Sequence, residues 1–247
     1  MASFAVILPA AGQSRRFKKG NRKKTFTDLK GRAVWLRAAE PFLNHKDVIQ
    51  TIVVVAPDDM EWFKDKYRPN LAFMEIEIVE GGSTRAESVR NGLSRVKPEA
   101  EFVAVHDAAR PLIVGEWIDP VFQAAEEHGA AIPGVPVTST LKRVGNDRTI
   151  TETVSRDELW AAQTPQVFGK QMLLDAYAGD NAAEATDEAS LIEAAGQKVT
   201  VVEGSPINIK ITTDADFRMA QSLLHALPKD TGPLSLHPFK DDDGLIF

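Results

Sequence analysis

Residues 4–24 read FAVILPAAGQSRRFKKGNRKK: five apolar residues, a run of proline and small residues, then seven basic residues within ten positions. The first five have the length and uniform apolarity of a strand covered on both faces. Pro9, Ala10, Ala11 and Gly12 carry almost no side chain, so a ligand can approach their backbone amides closely. A strand, a small-residue turn and a positive cluster, in that order, predict the first unit of an α/β sheet holding an anion beyond the strand's carboxyl end. The turn is neither a P-loop, which needs G-x-x-x-x-G-K-[ST], nor a G-x-G-x-x-G fingerprint.

Working outward, TIVVVA (51–56), EIEIVE (75–80) and FVAVHD (102–107) read as further strands, and 33–44, 58–67 and 84–96 as helices between them. This alternation predicts βαβ crossovers and a mostly parallel, doubly wound sheet. Ligands of such sheets bind beyond the carboxyl ends of the strands. GGSTRAES (81–88) and HDAARP (106–111) follow the third and fourth strands, so three polar motifs are expected to converge on one crevice. The alternation breaks at 135–155, where Thr, Val and turn residues dominate and GND (145–147) suggests a hairpin turn. A β-hairpin arm is expected there, with too little core to stand alone. Beyond it, helices near 169–178 and 187–195, a strand at 198–203 and a helix at 213–227 complete a domain over 1–228. Residues 229–247 read as a flexible tail.

The chain of 247 residues is 43% hydrophobic and has no cysteine, which excludes disulfides and thiolate metal sites. No signal-peptide pattern opens it, and no apolar run approaches the ~20 residues that span a bilayer. A cytoplasmic protein without a membrane partner is expected. The net charge is −6, yet the first 27 residues carry +7, leaving −13 for the rest. Overall acidity argues against nucleic acid as a partner, and the basic loop lacks interleaved aromatics. A Lys/Arg run is ordinarily a solvated surface. Its position after a strand and a small-residue turn is what points to a phosphate ligand.

In GGSTRAES, Thr84 and Glu87 fit a capping box, with Ala86, Val89 and Leu93 on one helical face. Arg85 and Ser88, three apart, share another face. The bland alternative is a capped core helix with two surface polar residues. Asp107 and Arg110 fit an internal ion pair, and equally a carboxylate beside a triphosphate, where Mg²⁺ takes one or two protein oxygens. Whether Asp107 itself meets the metal stays open. His106 reads as structural rather than catalytic.

PAAGQSRRF, KKTFTDLKGRAV, GGSTRAESV, VHDAARP, TLKR, TVSRDELWAAQTPQVF, TDEAS and NIKIT occur in the order and spacing of one enzyme family. The chain resembles the 2-C-methyl-D-erythritol 4-phosphate cytidylyltransferases over residues 4–225. The resemblance implies a Rossmann-like domain with a protruding arm that completes the neighbouring active site of a homodimer. It implies transfer of a cytidylyl group from CTP to 2-C-methyl-D-erythritol 4-phosphate with release of pyrophosphate, using Mg²⁺. Arg16 and Lys24 match the family's triphosphate cations; Pro9, Ala10, Ala11, Gly12, Gly82, Arg85, Ser88 and Asp107 match its nucleotide contacts. Asp107, Arg110, Thr140, Arg156, Thr164, Thr186 and Lys210 match its acceptor site. Arg16, Lys24, Arg156 and Lys210 are the expected catalytic groups. The chain departs from the family in having Lys23-Lys24-Thr25 where Pro-Lys-Gln is common, and in its tail. Ribitol 5-phosphate as acceptor, and a non-catalytic CTP-binding module, are the alternatives.

Overall fold

The computed structural model describes residues 2–14, 17, 23–179 and 185–228. Arg16 and the tail lie outside these residues. The first strand is β1 (Phe4–Pro9), followed by a small hairpin of β2 (Asp28–Leu29) and β3 (Arg32–Ala33). Then come α1 (Val34–Leu43), β4 (Val48–Val55), α2 (Met60–Phe73), β5 (Glu77–Glu80), α3 (Arg85–Leu93) and β6 (Phe102–Val105). The second half holds α4 (Gly115–His128), β7 (Ala130–Pro136), β8 (Leu141–Val144), β9 (Ile150–Val154), β10 (Trp160–Ala162) and β11 (Gln166–Gly169). It ends with α5 (Lys170–Ala178), α6 (Glu188–Ala194), β12 (Thr200–Glu203) and α7 (Asp214–Leu223).

β5, β4, β1 and β6 lie side by side and parallel. β11 pairs antiparallel with β6, and β10 and β11 both pair antiparallel with β7, whose other edge takes β12 in parallel. The sheet is doubly wound because its apolar strands have two buried faces. Val53 and Val55 face one hydrophobic layer with Trp35, Phe63 and Phe122. Ile52 and Val54 face the other with Val89, Leu173 and Ile192.

The expected mostly parallel sheet and hairpin arm are both present. The antiparallel β10–β11 insertion and the α4 helix were not read from sequence. Pro165 splits 160–169 into two runs of only three and four strand residues, too short to show a period. The second helix continues through Pro69 to Phe73 rather than stopping at 67. β8 and β9 form a separate two-stranded sheet, closed by a loop in which Gly145 and Thr149 are bonded and Arg148 takes φ +65°. Val144 and Ile150 on it are 51% and 62% exposed.

A third apolar cluster positions the site. Phe217 and Ala220 of α7 pack on Leu29, Val34, Leu112 and Ile211. The Ile211 amide donates to the Ala109 carbonyl at 2.8 Å, which docks the 207–213 segment beside the loop after β6.

Candidate active site

Three loops meet where β1, β5 and β6 end. The Ala10 amide donates to the Val54 carbonyl, the Gly81 amide to Val55 and the His106 amide to Ile7, so the turns start at a common level. Gly81 is required there: a Cβ on it would lie 2.7 Å from Ala11 Cβ and 3.1 Å from Ser88 Oγ. Ser14 takes φ +53° and accepts the Lys24 amide on its hydroxyl at 3.1 Å, bringing Lys24 back to the turn. Lys23 links the turn to the entrance of α2, with Nζ 2.5 Å from Asp59 Oδ2 and 3.4 Å from the Ala11 carbonyl oxygen.

On α3 the expected capping box is half made. Thr84 Oγ1 accepts from the Glu87 amide at 3.1 Å, but the Glu87 carboxylate takes the Ser83 amide and hydroxyl instead, both at 2.7 Å. Ser88 is buried; its hydroxyl donates to the Thr84 carbonyl and accepts the Gly82 amide at 3.1 Å. Ser88 therefore shapes the Gly82 turn rather than standing beside Arg85 on an open face.

The loop after β6 is held from beneath. His106 Nε2 lies 3.1 Å from the Arg110 carbonyl oxygen, which can only accept, so Nε2 carries the proton. His106 Nδ1 then accepts the Thr164 hydroxyl at 3.0 Å, and Thr164 Oγ1 accepts the Asp107 amide at 3.1 Å. Burial holds His106 neutral, with a pKa lowered from 6.5 to about 4. Thr164 thus fixes the loop as well as bordering the cavity.

Asp107 is the electrostatic centre. Lys210 Nζ lies 2.7 Å from its Oδ2 and Arg110 Nε 3.6 Å, and Arg85 Nη2 is 3.8 Å from Oδ1. Burial alone would raise the Asp107 pKa; Lys210, then Arg85 and Arg110, outweigh it and leave about 2. A cavity of about 130 Å³ opens here, bordered by Arg85, Asp107, Arg110, Thr164, Thr186 and Lys210 from the expected set. Gln163, Gln166 and Asp187 also border it and were missed: they stand inside TVSRDELWAAQTPQVF and TDEAS, but nothing in those stretches singles them out as facing a cavity. Asn208, inside NIKIT, was missed too: its side-chain Nδ2 donates to the Thr164 carbonyl at 3.0 Å and its backbone carbonyl accepts Arg110 Nη1 at 2.7 Å.

Thr140 and Arg156 stand apart from this cavity, exposed at the base of the arm, where Arg156 donates to the Thr138 carbonyl. A larger hollow of about 350 Å³ lies between the β2–β3 hairpin and α2, away from the strand ends. No helix among the described residues is long and apolar enough to cross a membrane.

An open, mostly parallel sheet whose strand-end crevice gathers cations around one ionised carboxylate is built to handle a nucleotide's phosphates, as in a nucleotidyltransferase. A family model described as 2-C-methyl-D-erythritol 4-phosphate cytidylyltransferase matches residues 4–226, and the chain belongs to that family. The protein of that name from Rhodopirellula baltica is 39% identical over 91% of this chain and 96% of its own length. That from Bacillus velezensis is 39% identical over 90% of this chain and 96% of its own. The crystal structure of 4-diphosphocytidyl-2C-methyl-D-erythritol synthase from Anaerococcus prevotii superposes with a TM-score of 0.75 at 29% identity, covering 91% of this chain and 99% of that one.

Proposed function

We propose that this chain transfers the cytidylyl group of CTP to 2-C-methyl-D-erythritol 4-phosphate, a step of isoprenoid precursor synthesis. The observation that carries the reading is the triad of cations around Asp107 at the strand ends of a chain in this family. A phosphate oxygen of the acceptor attacks the α-phosphorus of CTP, and a new P–O bond forms. The bond from the α-phosphorus to the α–β bridging oxygen breaks, and pyrophosphate leaves. No general base is needed, because a phosphate monoester is already anionic near neutral pH.

Positioning and charge stabilisation are then the protein's work. Pro9 to Gly12 and Gly82 would offer backbone to the nucleotide across the contact of Ala11 with Gly81, and Ser88 holds that slot in shape. Lys24, with Arg16, would meet the triphosphate, and Arg85 would face it from α3. Lys210 and Arg110 would draw the acceptor phosphate toward Asp107, with Thr164 and Thr186 at the cavity edge. Arg156 and Thr140 would serve the neighbouring subunit of a homodimer, since their arm carries exposed apolar side chains and packs little on its own chain.

The described residues contain no group of three His, Asp or Glu side chains able to hold a metal. Asp107, ionised and facing the cavity, is a single hard oxygen donor. That donor set fits Mg²⁺ arriving on the triphosphate, with Asp107 as its protein ligand. Bound there, Mg²⁺ would neutralise part of the triphosphate's charge.

Pyrophosphate release with CTP and a panel of polyol phosphates tests the reading. Release with 2-C-methyl-D-erythritol 4-phosphate is expected; release confined to ribitol 5-phosphate, or none with any acceptor, refutes it.

A further inference from the structure

Glu188, within TDEAS, is the first residue of α6, and its side chain is 1% exposed. Its Oε1 accepts Arg85 Nη1 at 2.6 Å and the Tyr177 hydroxyl at 2.9 Å; its Oε2 accepts Arg85 Nη2 at 2.8 Å. A carboxylate this deeply buried is costly unless paired and hydrogen-bonded, and here both oxygens meet the fork of one guanidinium. Tyr177 completes the arrangement as a donor: burial, and then the Glu188 charge, push its phenol upward and keep it protonated. The same Arg85 Nη2 that Glu188 holds lies 3.8 Å from Asp107 Oδ1.

We propose that Glu188 is a positioning residue for the transfer reaction: it fixes the Arg85 guanidinium, and so the side of the cavity that Arg85 presents to Asp107 and to the nucleotide. The proposal rests on the reading above, that the Asp107 cavity is the transfer site. Arg85 reaches α6 from α3, 103 positions away in sequence, so its long side chain would otherwise sample many rotamers. A bidentate pair with a buried carboxylate selects one. The neighbouring cations need no such partner to stay in place. Arg110 is anchored by the Asn208 carbonyl, and Lys210 sits directly on Asp107.

The test compares wild type with Glu188→Gln, Glu188→Asp, Arg85→Met and the double variant Arg85→Met/Glu188→Gln, using CTP and 2-C-methyl-D-erythritol 4-phosphate. Glu188→Gln keeps size and one acceptor but loses the charge. Its kcat should fall about 10²-fold, the scale of a small misplacement away from the chemistry, with the acceptor KM nearly unchanged. Glu188→Asp should fall between it and wild type. The double variant should be no slower than Arg85→Met, because the carboxylate acts only through the guanidinium. A wild-type kcat in Glu188→Gln, or losses that multiply in the double variant, overturns the proposal. If Glu188→Gln does not fold, Glu188→Asp carries the comparison, and a wild-type kcat there overturns it. The ¹⁵N–¹H signals of the Arg85 guanidinium read the positioning without turnover. They should be separate and slowly exchanging in wild type and averaged in Glu188→Gln; unchanged signals overturn the proposal even if wild type itself proves to use another acceptor.

Discussion

The Lys210 ammonium sits 2.7 Å from Asp107 Oδ2, closer than either of the two arginines that share that carboxylate. The contact joins the loop after β6 to the segment that α7 docks in place, and it is the strongest influence holding Asp107 ionised.

Lys210→Met is therefore expected to lower kcat/KM for the acceptor by about 10²–10³-fold, the scale for removing one donor aimed at developing charge. Lys210→Arg should recover part of that loss. Steady-state pyrophosphate release measures both, and a Lys210→Met enzyme within a few-fold of wild type would show that Lys210 serves only the fold.

Lys23 and Lys24 should separate by kinetic signature. Lys23 ties the Ala11 carbonyl to Asp59 at the entrance to α2, so Lys23→Ala should loosen the small-residue turn. A partly exposed ion pair contributes up to about 1 kcal/mol, so the expected effect is a CTP KM raised about two- to fivefold with kcat little changed. Lys24→Ala should instead cost about 10²-fold in kcat. The reverse ranking would mean that Lys23 is the triphosphate cation.

Stability should fall with acid in two stages. His106 titrates at about 4 in the folded chain and near 6.5 when unfolded, so the unfolded state binds the extra proton first. Its contribution is complete above about pH 6.5 and is lost as pH falls toward 4, on the order of 3 kcal/mol in all. Asp107 adds a loss in the same direction from about pH 3.8 toward 2. Urea unfolding of wild type and His106→Gln at pH 7 and pH 4.5 checks the first stage. The variant should be less stable at pH 7 but lose much less between the two pH values; parallel losses would place the sensitivity elsewhere.

A site shared between subunits predicts complementation. Lys210 belongs to its own chain's cavity, whereas Arg156 stands on the exposed arm. Lys210→Met and Arg156→Ala dimers, dissociated and reassociated together, should give hybrids in which one site has both defects and the other none. Half the dimers are hybrids, so activity should return to about a quarter of wild type. Hybrids confirmed by mass, with no activity recovered, would return Arg156 to its own chain's site. Ile150→Asp, which charges a side chain 62% exposed on the arm, should shift the sedimentation coefficient toward a monomer.

Local chemistry was enough to read the alternating layers. FAVIL and TIVVV are apolar on both faces and so must be central strands, and the amphipathic stretches between them must cover the sheet. PAAG, GGS and HDAAR were legible as strand-end turns because small residues and caps follow local rules, and the family motifs GGSTRAESV, VHDAARP and NIKIT marked Arg85, Asp107 and Lys210. The order of the sheet beyond β6 was not legible, because Pro165 leaves two short runs whose partners lie more than twenty residues away in sequence. Nor were Glu188, Gln163, Gln166 and Asn208, which carry no spacing signal among themselves. Spacing along a chain fixes only which residues share a face of their own helix or strand. Which face meets which, and hence that Glu188 grips Arg85 and that Lys210 rather than Arg110 sits closest to Asp107, was decided by the packing of α6 on the sheet and of α7 on Leu29, Val34, Leu112 and Ile211.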